Sequence, residues 1–165
     1  MKLYKNFNIP KNHKRSIVLI GNFDGVHVGH QKLFKLANNY KKKFNLNIGV
    51  LTFEPMPKMF FNKNIKNFRI SNINQKNIIL KKMGVDFVIT QKFDKKFSKI
   101  KSDYFIKKIL SGKLKAQYIF VSNNFKFGNK REGDVNQLIK NEKIHDYKII
   151  KPQPLTLDKK VRFNL

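Results

Sequence analysis

The sequence contains no cysteine, no tryptophan and no long apolar stretch. Without cysteine the chain has neither a disulfide framework nor a thiolate metal site, and we predict no resident metal. Residues 1–6 lack the apolar segment of a secretion signal, and no stretch approaches the length of a membrane span. These absences predict a cytoplasmic protein without a membrane partner.

Acidic residues are also scarce, so that 36 lysines and arginines against 10 aspartates and glutamates leave a formal net charge of +26. Such a charge is ordinarily typical of nucleic-acid binding. Nearly all of the basic residues are lysines, however, and they are spread along the chain instead of forming one stripe. We therefore predict no nucleic-acid partner, and we interpret the lysines as solvated surface residues whose field attracts anionic nucleotides.

The 165 residues, 41% of them hydrophobic, suffice for one domain with its own core. Apolar strand-like segments are predicted at 16–21, 47–53, 86–90, 116–121 and 146–150, with a short edge strand within 2–7. Helices are predicted at 29–44, 74–83, 102–112 and 134–143, and irregular structure at 58–71 and 122–133. This alternation predicts a doubly wound, Rossmann-like α/β fold, whose parallel sheet is covered by helices on both faces.

Residues 16–30 are the most informative stretch, because an apolar strand is followed by a turn and then by His27 and His30 at the start of a helical periodicity. A helix N-terminus offers free backbone N–H groups and the positive end of the helix dipole, which suit a phosphate. Two histidines three positions apart can face the same phosphate, and we expect them to line the largest polar pocket. Backbone can approach a ligand closely at three glycines, Gly21, Gly25 and Gly29.

The string that begins at Gly21, Gly-Asn-Phe-Asp-Gly-Val-His-Val-Gly-His, contains the HxGH signature of nucleotidyltransferases and resembles bacterial FAD synthetase more specifically. That family is the FMN adenylyltransferase half of bifunctional riboflavin kinase/FAD synthetase. The resemblance implies transfer of AMP from ATP to FMN, with Mg²⁺ bridging the ATP phosphates and with His27 and His30 as catalytic residues. It also implies nucleotide binding by Gly21, Asn22, Phe23, Asp24, Gly25 and Gly29, although a turn role for Asp24 stays open.

Residues 52–57, Thr-Phe-Glu-Pro-Met-Pro, resemble the strand-end segment that contacts the flavin in this family. Met56 stands where family members usually have histidine. A thioether can pack on an isoalloxazine ring, but it cannot supply the hydrogen bond of a histidine. The resemblance implies an FMN site formed by Phe53, Pro55, Met56, Pro57 and Phe61.

Residues 120–134 contain two more pieces of the family pattern, Asn-Phe-Lys-Phe-Gly and Arg-Glu-Gly-Asp. The resemblance implies that Asn124 is catalytic near the nucleotide phosphates and that Arg131 binds the nucleotide. Ligands of parallel sheets bind beyond the carboxyl ends of strands. Because His27, Pro55 and Asn124 each follow a predicted strand, we expect them to converge on one crevice.

Val161 and Arg162 look like the Val-Arg that precedes the family's Ile-Ser-Ser-Thr-x-x-Arg motif, which implies a nucleotide-binding role for Arg162. We expect residues 1–165 to be an FMN adenylyltransferase domain truncated at its C-terminus and without the riboflavin kinase domain. Two alternatives stay open: a truncated, non-catalytic nucleotide- or flavin-binding remnant, and another HxGH nucleotidyltransferase. Arg69 and Lys76 match a helix pattern of the family that supports the alignment more than it identifies a site.

Overall fold

The computed structural model describes residues 1–65 and 69–153, so the predicted nucleotide-binding residue Arg162 lies outside the described residues. The strands, in chain order, are β1 (Lys2–Tyr4), β2 (Ile17–Ile20), β3 (Ile48–Glu54), β4 (Phe87–Lys92), β5 (Tyr118–Phe120), β6 (Lys126–Phe127), β7 (Gly133–Asp134) and β8 (Lys148–Ile150). Six of them form one sheet in the order β1-β4-β3-β2-β5-β8, in which every pairing is parallel. The sheet architecture predicted from the sequence is therefore confirmed.

The helices, in chain order, are α1 (Val28–Phe44), α2 (Pro57–Phe61), α3 (Ile73–Lys82), α4 (Lys95–Ser98), α5 (Ser102–Tyr104), α6 (Val135–Lys140) and α7 (Glu142–His145). The helix α5 continues directly into a π-helical segment, Phe105–Lys113. Short 3₁₀ turns occur at Lys11–His13 and Asn129–Arg131.

Successive residues of the strands contribute to two separate hydrophobic layers, as the period of two in a strand requires. Ile17 and Leu19 of β2 pack on the layer that holds buried residues of α1 and α3, whereas Val18 and Ile20 pack on the other layer. That second layer is covered by the π-helical segment and α6. Because β2 is buried on both faces, it is apolar throughout, which is typical of a central parallel strand.

The direction in which the chain crosses the sheet reverses beside β2. From β2 the chain proceeds to β3 and β4 on one side, and then returns to β5 and β8 on the other. Open α/β sheets bind their ligands at such a reversal, outside the carboxyl ends of the strands, which here are β2 and β5.

Three local predictions were wrong. Residues 58–71 include a helical turn, α2, because Pro57 occupies the first helical position, where its missing N–H is no cost. The predicted loop 122–133 contains β6, which pairs with β7 in a small antiparallel hairpin whose strands are too short to show a periodicity. The predicted helix 134–143 is divided into α6 and α7 at Asn141, which lies near φ −94° and ψ 0°.

Candidate functional site

The loop between β2 and α1 ends at His27, the N-cap residue of α1. Its backbone is extended, with φ −82° and ψ 176°, and no side chain caps the helix. The first described hydrogen bond of the helix runs from the Gln31 N–H to the His27 carbonyl, at 3.0 Å. The N–H groups of the first turn are therefore oriented toward the carboxyl edge of the sheet without a capping partner.

The two histidines of this helix start lie against each other. The His27 and His30 rings stack with their centroids 3.8 Å apart and an interplanar angle of 21°. The His27 side chain is exposed, whereas His30 is half-buried and packs 5.1 Å from the Phe23 ring. Burial, and then repulsion from His27, lower the pKa of His30 to about 4, so His30 is neutral at neutral pH. Its buried Nδ1 has no hydrogen-bond partner among the described residues.

A polar cavity lies beside the loop, but neither histidine lines it. Its walls are formed by residues of the loop, of the β3 end and of the start of α3: Asn22, Asp24, Glu54, Met56, Arg69, Ser71, Ile73 and Lys76. His27 lies on the exposed face of the helix start, and His30 packs against Phe23. The expectation that the histidines line the largest polar pocket stays a prediction.

Asp24 connects the loop to the segment that precedes α3. Its Oδ2 accepts a hydrogen bond from the Ile70 N–H, and its Oδ1 accepts from the N–H and the hydroxyl of Ser71, all within 3.0 Å. Burial tends to raise the pKa of Asp24, but these hydrogen bonds and the charge of Lys76 lower it overall. These contacts give Asp24 a structural role in joining the loop to residues 70 and 71, and its nucleotide-binding role stays a prediction.

Gly25 follows at φ +56°, and a Cβ built on it would lie 2.8 Å from the Ile70 side chain. The turn therefore requires glycine both for its conformation and for its close approach to a neighbour. Gly21 and Gly29 have close neighbours too, since a Cβ would lie 3.2 Å from the ring of Phe23 or His27, respectively.

Two basic side chains, Arg69 and Lys76, line the cavity. Both match the family pattern in the sequence, but no site was predicted for them there. Arg69 forms an ion pair with Glu54. Lys76 is 9% exposed, and its Nζ lies 3.3 Å from Thr52 Oγ1 and 3.4 Å from the Asn22 carbonyl oxygen. Burial lowers the pKa of Lys76, against the opposing effect of Glu54. A lysine one helical turn before the buried Leu80 was the signal available in the sequence.

The residues predicted for FMN lie at the end of β3 and in α2, and they divide between two environments. Met56 is buried and lines the polar cavity, and Pro57 begins α2. Phe53 packs against the layer covered by the π-helical segment and α6, and its ring lies 6.1 Å from that of Phe93 and 5.6 Å from that of Phe97. Phe61 is exposed and lies 5.8 Å from Phe93. Pro55 connects β3 to α2. Phe60 packs against Phe93. We call the five neighbouring rings the aromatic cluster: Phe53, Phe60, Phe61, Phe93 and Phe97.

Asn124 follows β5, on the other side of β2 from β3. Its side chain is exposed, and its Oδ1 accepts a hydrogen bond from the Ser122 hydroxyl at 2.9 Å. The strands before Pro55, His27 and Asn124 are parallel neighbours in the sheet, so the three segments lie at the same edge of it. Their convergence on one crevice stays a prediction. Arg131 is exposed, in a left-handed conformation with φ +57°. Within the described residues, no hydrogen bond joins Asn124 or Arg131 to either histidine.

Within residues 1–65 and 69–153, no three histidine, aspartate or glutamate side chains are grouped closely enough to hold a metal ion. The helices of these same residues include none that is long and apolar enough to cross a bilayer.

A parallel sheet that reverses beside an HxGH helix start defines the chain as an α/β domain of the nucleotidyltransferase type. Its fold is similar to a crystal structure titled a macrolide-efflux protein from Streptococcus pneumoniae, with a TM-score of 0.75 and 26% identity over 90% of this chain and 48% of that one. It also resembles the fold of pantoate-β-alanine ligase from Francisella tularensis, with a TM-score of 0.53 and 18% identity over 93% of this chain and 69% of that one.

The sequence model of the FAD synthetase family matches residues 9–162, and the chain belongs to that family. It is 36% identical over 156 residues to the bifunctional riboflavin kinase/FMN adenylyltransferase of Buchnera aphidicola subsp. Acyrthosiphon pisum, covering 94% of this chain and 50% of the relative. The Escherichia coli K12 protein of the same name is 35% identical over 136 residues, covering 81% and 44%. The chain thus spans about half the length of the curated relatives it matches.

Proposed function

We propose that this chain is an FMN adenylyltransferase, which transfers AMP from ATP to FMN to give FAD and pyrophosphate. The observation that carries the proposal is the stacked His27–His30 pair at the uncapped start of α1, beside the reversal of the sheet, in a member of the FAD synthetase family. An oxygen of the FMN phosphate attacks the α-phosphorus of ATP, and the bond from that phosphorus to the pyrophosphate oxygen breaks. A phosphate dianion needs no general base, so the protein supplies positioning and charge stabilisation.

His27 and His30 donate hydrogen bonds to the ATP phosphates, alongside the N–H groups of the first turn of α1. His30 is neutral before ATP binds, and an anionic phosphate beside it raises its pKa, which strengthens the hydrogen bond as charge develops. The rest of the β2–α1 loop surrounds the nucleotide with backbone, through Gly21, Asn22, Phe23, Gly25 and Gly29.

Asn124 and Arg131 approach the nucleotide from the β5 side, and Arg162 is proposed for the same role on its sequence pattern. The exposure of Asn124 and Arg131 and the adjacency of β5 to β2 support this assignment. Mg²⁺ enters with ATP as part of the substrate and bridges phosphate oxygens, a role in which it keeps several waters and takes few ligands from the protein.

The flavin is bound at the β3 end, by Phe53, Pro55, Met56, Pro57 and Phe61. The aromatic cluster supports this side of the proposal, because Phe61 is 66% exposed while its ring is held edge-on against Phe60 and Phe93. An exposed, oriented aromatic ring is a suitable surface for stacking a planar heterocycle.

The proposal is tested by incubating the pure protein with ATP, Mg²⁺ and FMN, and by measuring FAD and pyrophosphate by chromatography. We expect the two products in equal amounts. Parallel reactions replace FMN with nicotinamide mononucleotide, phosphopantetheine or glycerol phosphate. Product only from one of these would identify another HxGH transferase, and tight ATP or FMN binding without any product would identify a non-catalytic remnant.

A further inference from the structure

The buried ammonium group of Lys76 has few contacts for a charge so deep in the protein. Its side chain belongs to α3 and reaches under the β2–α1 loop, where Nζ lies 3.4 Å from the Asn22 carbonyl oxygen and 3.3 Å from Thr52 Oγ1. Both acceptors are neutral, and both distances are long for an N–H···O hydrogen bond.

Glu54 and Asp24 act on this charge from a distance, but both make their hydrogen bonds to other groups. Glu54 pairs with Arg69, and Asp24 accepts its hydrogen bonds from Ile70 and Ser71. Within residues 1–65 and 69–153, none of the carboxylates forms an ion pair with Lys76. Desolvating a charge without a contacting counter-ion is costly, and an apolar side chain of similar length would fill the same space without that cost. Stability alone therefore gives no reason for a lysine here.

We infer that Lys76 is a positioning residue, which sets the β2–α1 loop against the end of β3. The catalytic consequence of this inference rests on the function proposed above. Asn22 precedes His27 in the loop on the nucleotide side, and Thr52 precedes Met56 on the FMN side. One ammonium group thus holds the two segments at a defined separation. In-line attack depends on that separation, since a misplacement of about 1 Å can cost roughly a hundredfold in rate.

The Asp24 contacts do not duplicate this connection. They hold the loop to residues 70 and 71, which lie outside the sheet, whereas Lys76 holds it to β3 itself. At the end that joins β2, the Gly21 N–H already donates to the Leu51 carbonyl oxygen of β3, at 3.1 Å. The loss of Lys76 therefore leaves the loop paired with β3 as far as Gly21 and attached to residues 70 and 71 at Asp24, and removes the contact at Asn22 between them.

Lys76→Met tests the inference, because methionine keeps the length and helix propensity of the side chain and removes its charge. The matched control is Lys81→Met, an exposed lysine of the same helix. We expect Lys76→Met to unfold at an equal or higher urea concentration than the parent chain, and to form FAD roughly tenfold to a hundredfold more slowly. The control should match the parent in both. Unchanged turnover in Lys76→Met, or a loss explained by the unfolded fraction, would overturn the inference.

A second readout does not depend on activity. The chain has four histidines, so an NMR spectrum of the imidazole Hε1 protons contains four signals. Lys76→Met should move the signals of His27 and His30 and leave those of His13 and His145, which pack against Phe87 and Tyr147. If the parent chain makes no FAD, the proposed function fails, but the displaced pair of signals would still support the positioning role. Unmoved signals would contradict it.

Thr52→Val provides a test that does not alter Lys76. It removes one acceptor of the ammonium group in a fully buried position with little change of volume. We expect a smaller loss of turnover than in Lys76→Met, and no further loss when the two substitutions are combined, because they interrupt the same connection. Additive losses of turnover in the double variant would show that Thr52 and Lys76 act separately, and would overturn the inference. This test holds even if Lys76→Met folds poorly.

Discussion

The two sides of the proposed site, a nucleotide side at the β2–α1 loop and a flavin side at the end of β3, are built by different means. On the nucleotide side, one continuous stretch forms the strand end, the turn and the helix start, with His27 and His30 at its tip. On the flavin side, the aromatic cluster gathers rings from the ends of β3 and β4 and from two short helices. A phosphate is bound by backbone geometry, which a short motif encodes, whereas a flat apolar ring needs side chains from several elements.

The largest effect should come from breaking the nucleotide side alone. His30→Ala removes a proposed phosphate donor and should lower kcat for FAD formation by about a hundredfold, the usual cost of losing one group that stabilises a transition-state charge. Steady-state kinetics with ATP, Mg²⁺ and FMN measure this.

The control for His30→Ala is Lys42→Ala, on the exposed face of α1. Lys41, the preceding residue, is unsuitable because its Nζ pairs with Asp86 at 2.7 Å. At physiological salt a diffuse positive field is screened beyond roughly 8 to 10 Å, whereas a direct contact with a phosphate is not. Equal losses of turnover in the histidine and lysine variants would therefore mean that ATP is bound by the field and not by a contact with His30.

Phe61→Ala should break the flavin side with a smaller effect. Stacking on one aromatic side chain contributes about 1–3 kcal/mol, so we expect the Kd for FMN to rise at least about fivefold. Titration of FMN, followed by its fluorescence, measures this without requiring turnover. Tyr104→Ala, another exposed aromatic residue, serves as the control, and the idea fails if both variants bind FMN equally well.

The sequence predicts the nucleotide side better than the flavin side, because the contacts that form the nucleotide side join residues close together in the chain. Residues 16–30 predict a strand, a turn and a helix start correctly, because contacts within the stretch determine all three. Phe93 was not predicted beside Phe61, because they meet only through the pairing of β3 and β4. Lys41 is predicted as a solvated lysine because Asp86, its partner in the fold, lies far from it in the sequence. The spacing of Lys76 to Leu80 predicts only that the two residues share a face of α3, and not that Lys76 lies beneath Asn22.

The last expected effect concerns pH and sharpens the description of His30. Its pKa is about 4 in the folded chain, against 6.5 for an ordinary histidine. The unfolded chain therefore binds the proton more readily between these values, so the free energy of unfolding falls as the pH is lowered from about 6.5 to 4. The pKa of His13 is also lowered, so His30→Gln should reduce the slope without abolishing it.

Urea unfolding at several pH values between 7 and 4 compares the parent chain with His30→Gln. A parent slope no steeper than that of the variant would mean that His30 titrates normally and is not buried against Phe23 as its ring contact indicates.

The central claim is that one crevice binds ATP through the histidine helix start and FMN through the aromatic cluster. The most direct measurement is a crossed titration, in which ATP with Mg²⁺ and then FMN are each titrated into the parent chain, His30→Ala and Phe61→Ala. We predict that His30→Ala loses affinity for ATP and keeps its affinity for FMN, and that Phe61→Ala does the reverse. Parallel losses of both ligands in both variants, or ATP affinity indifferent to His30, would contradict the account.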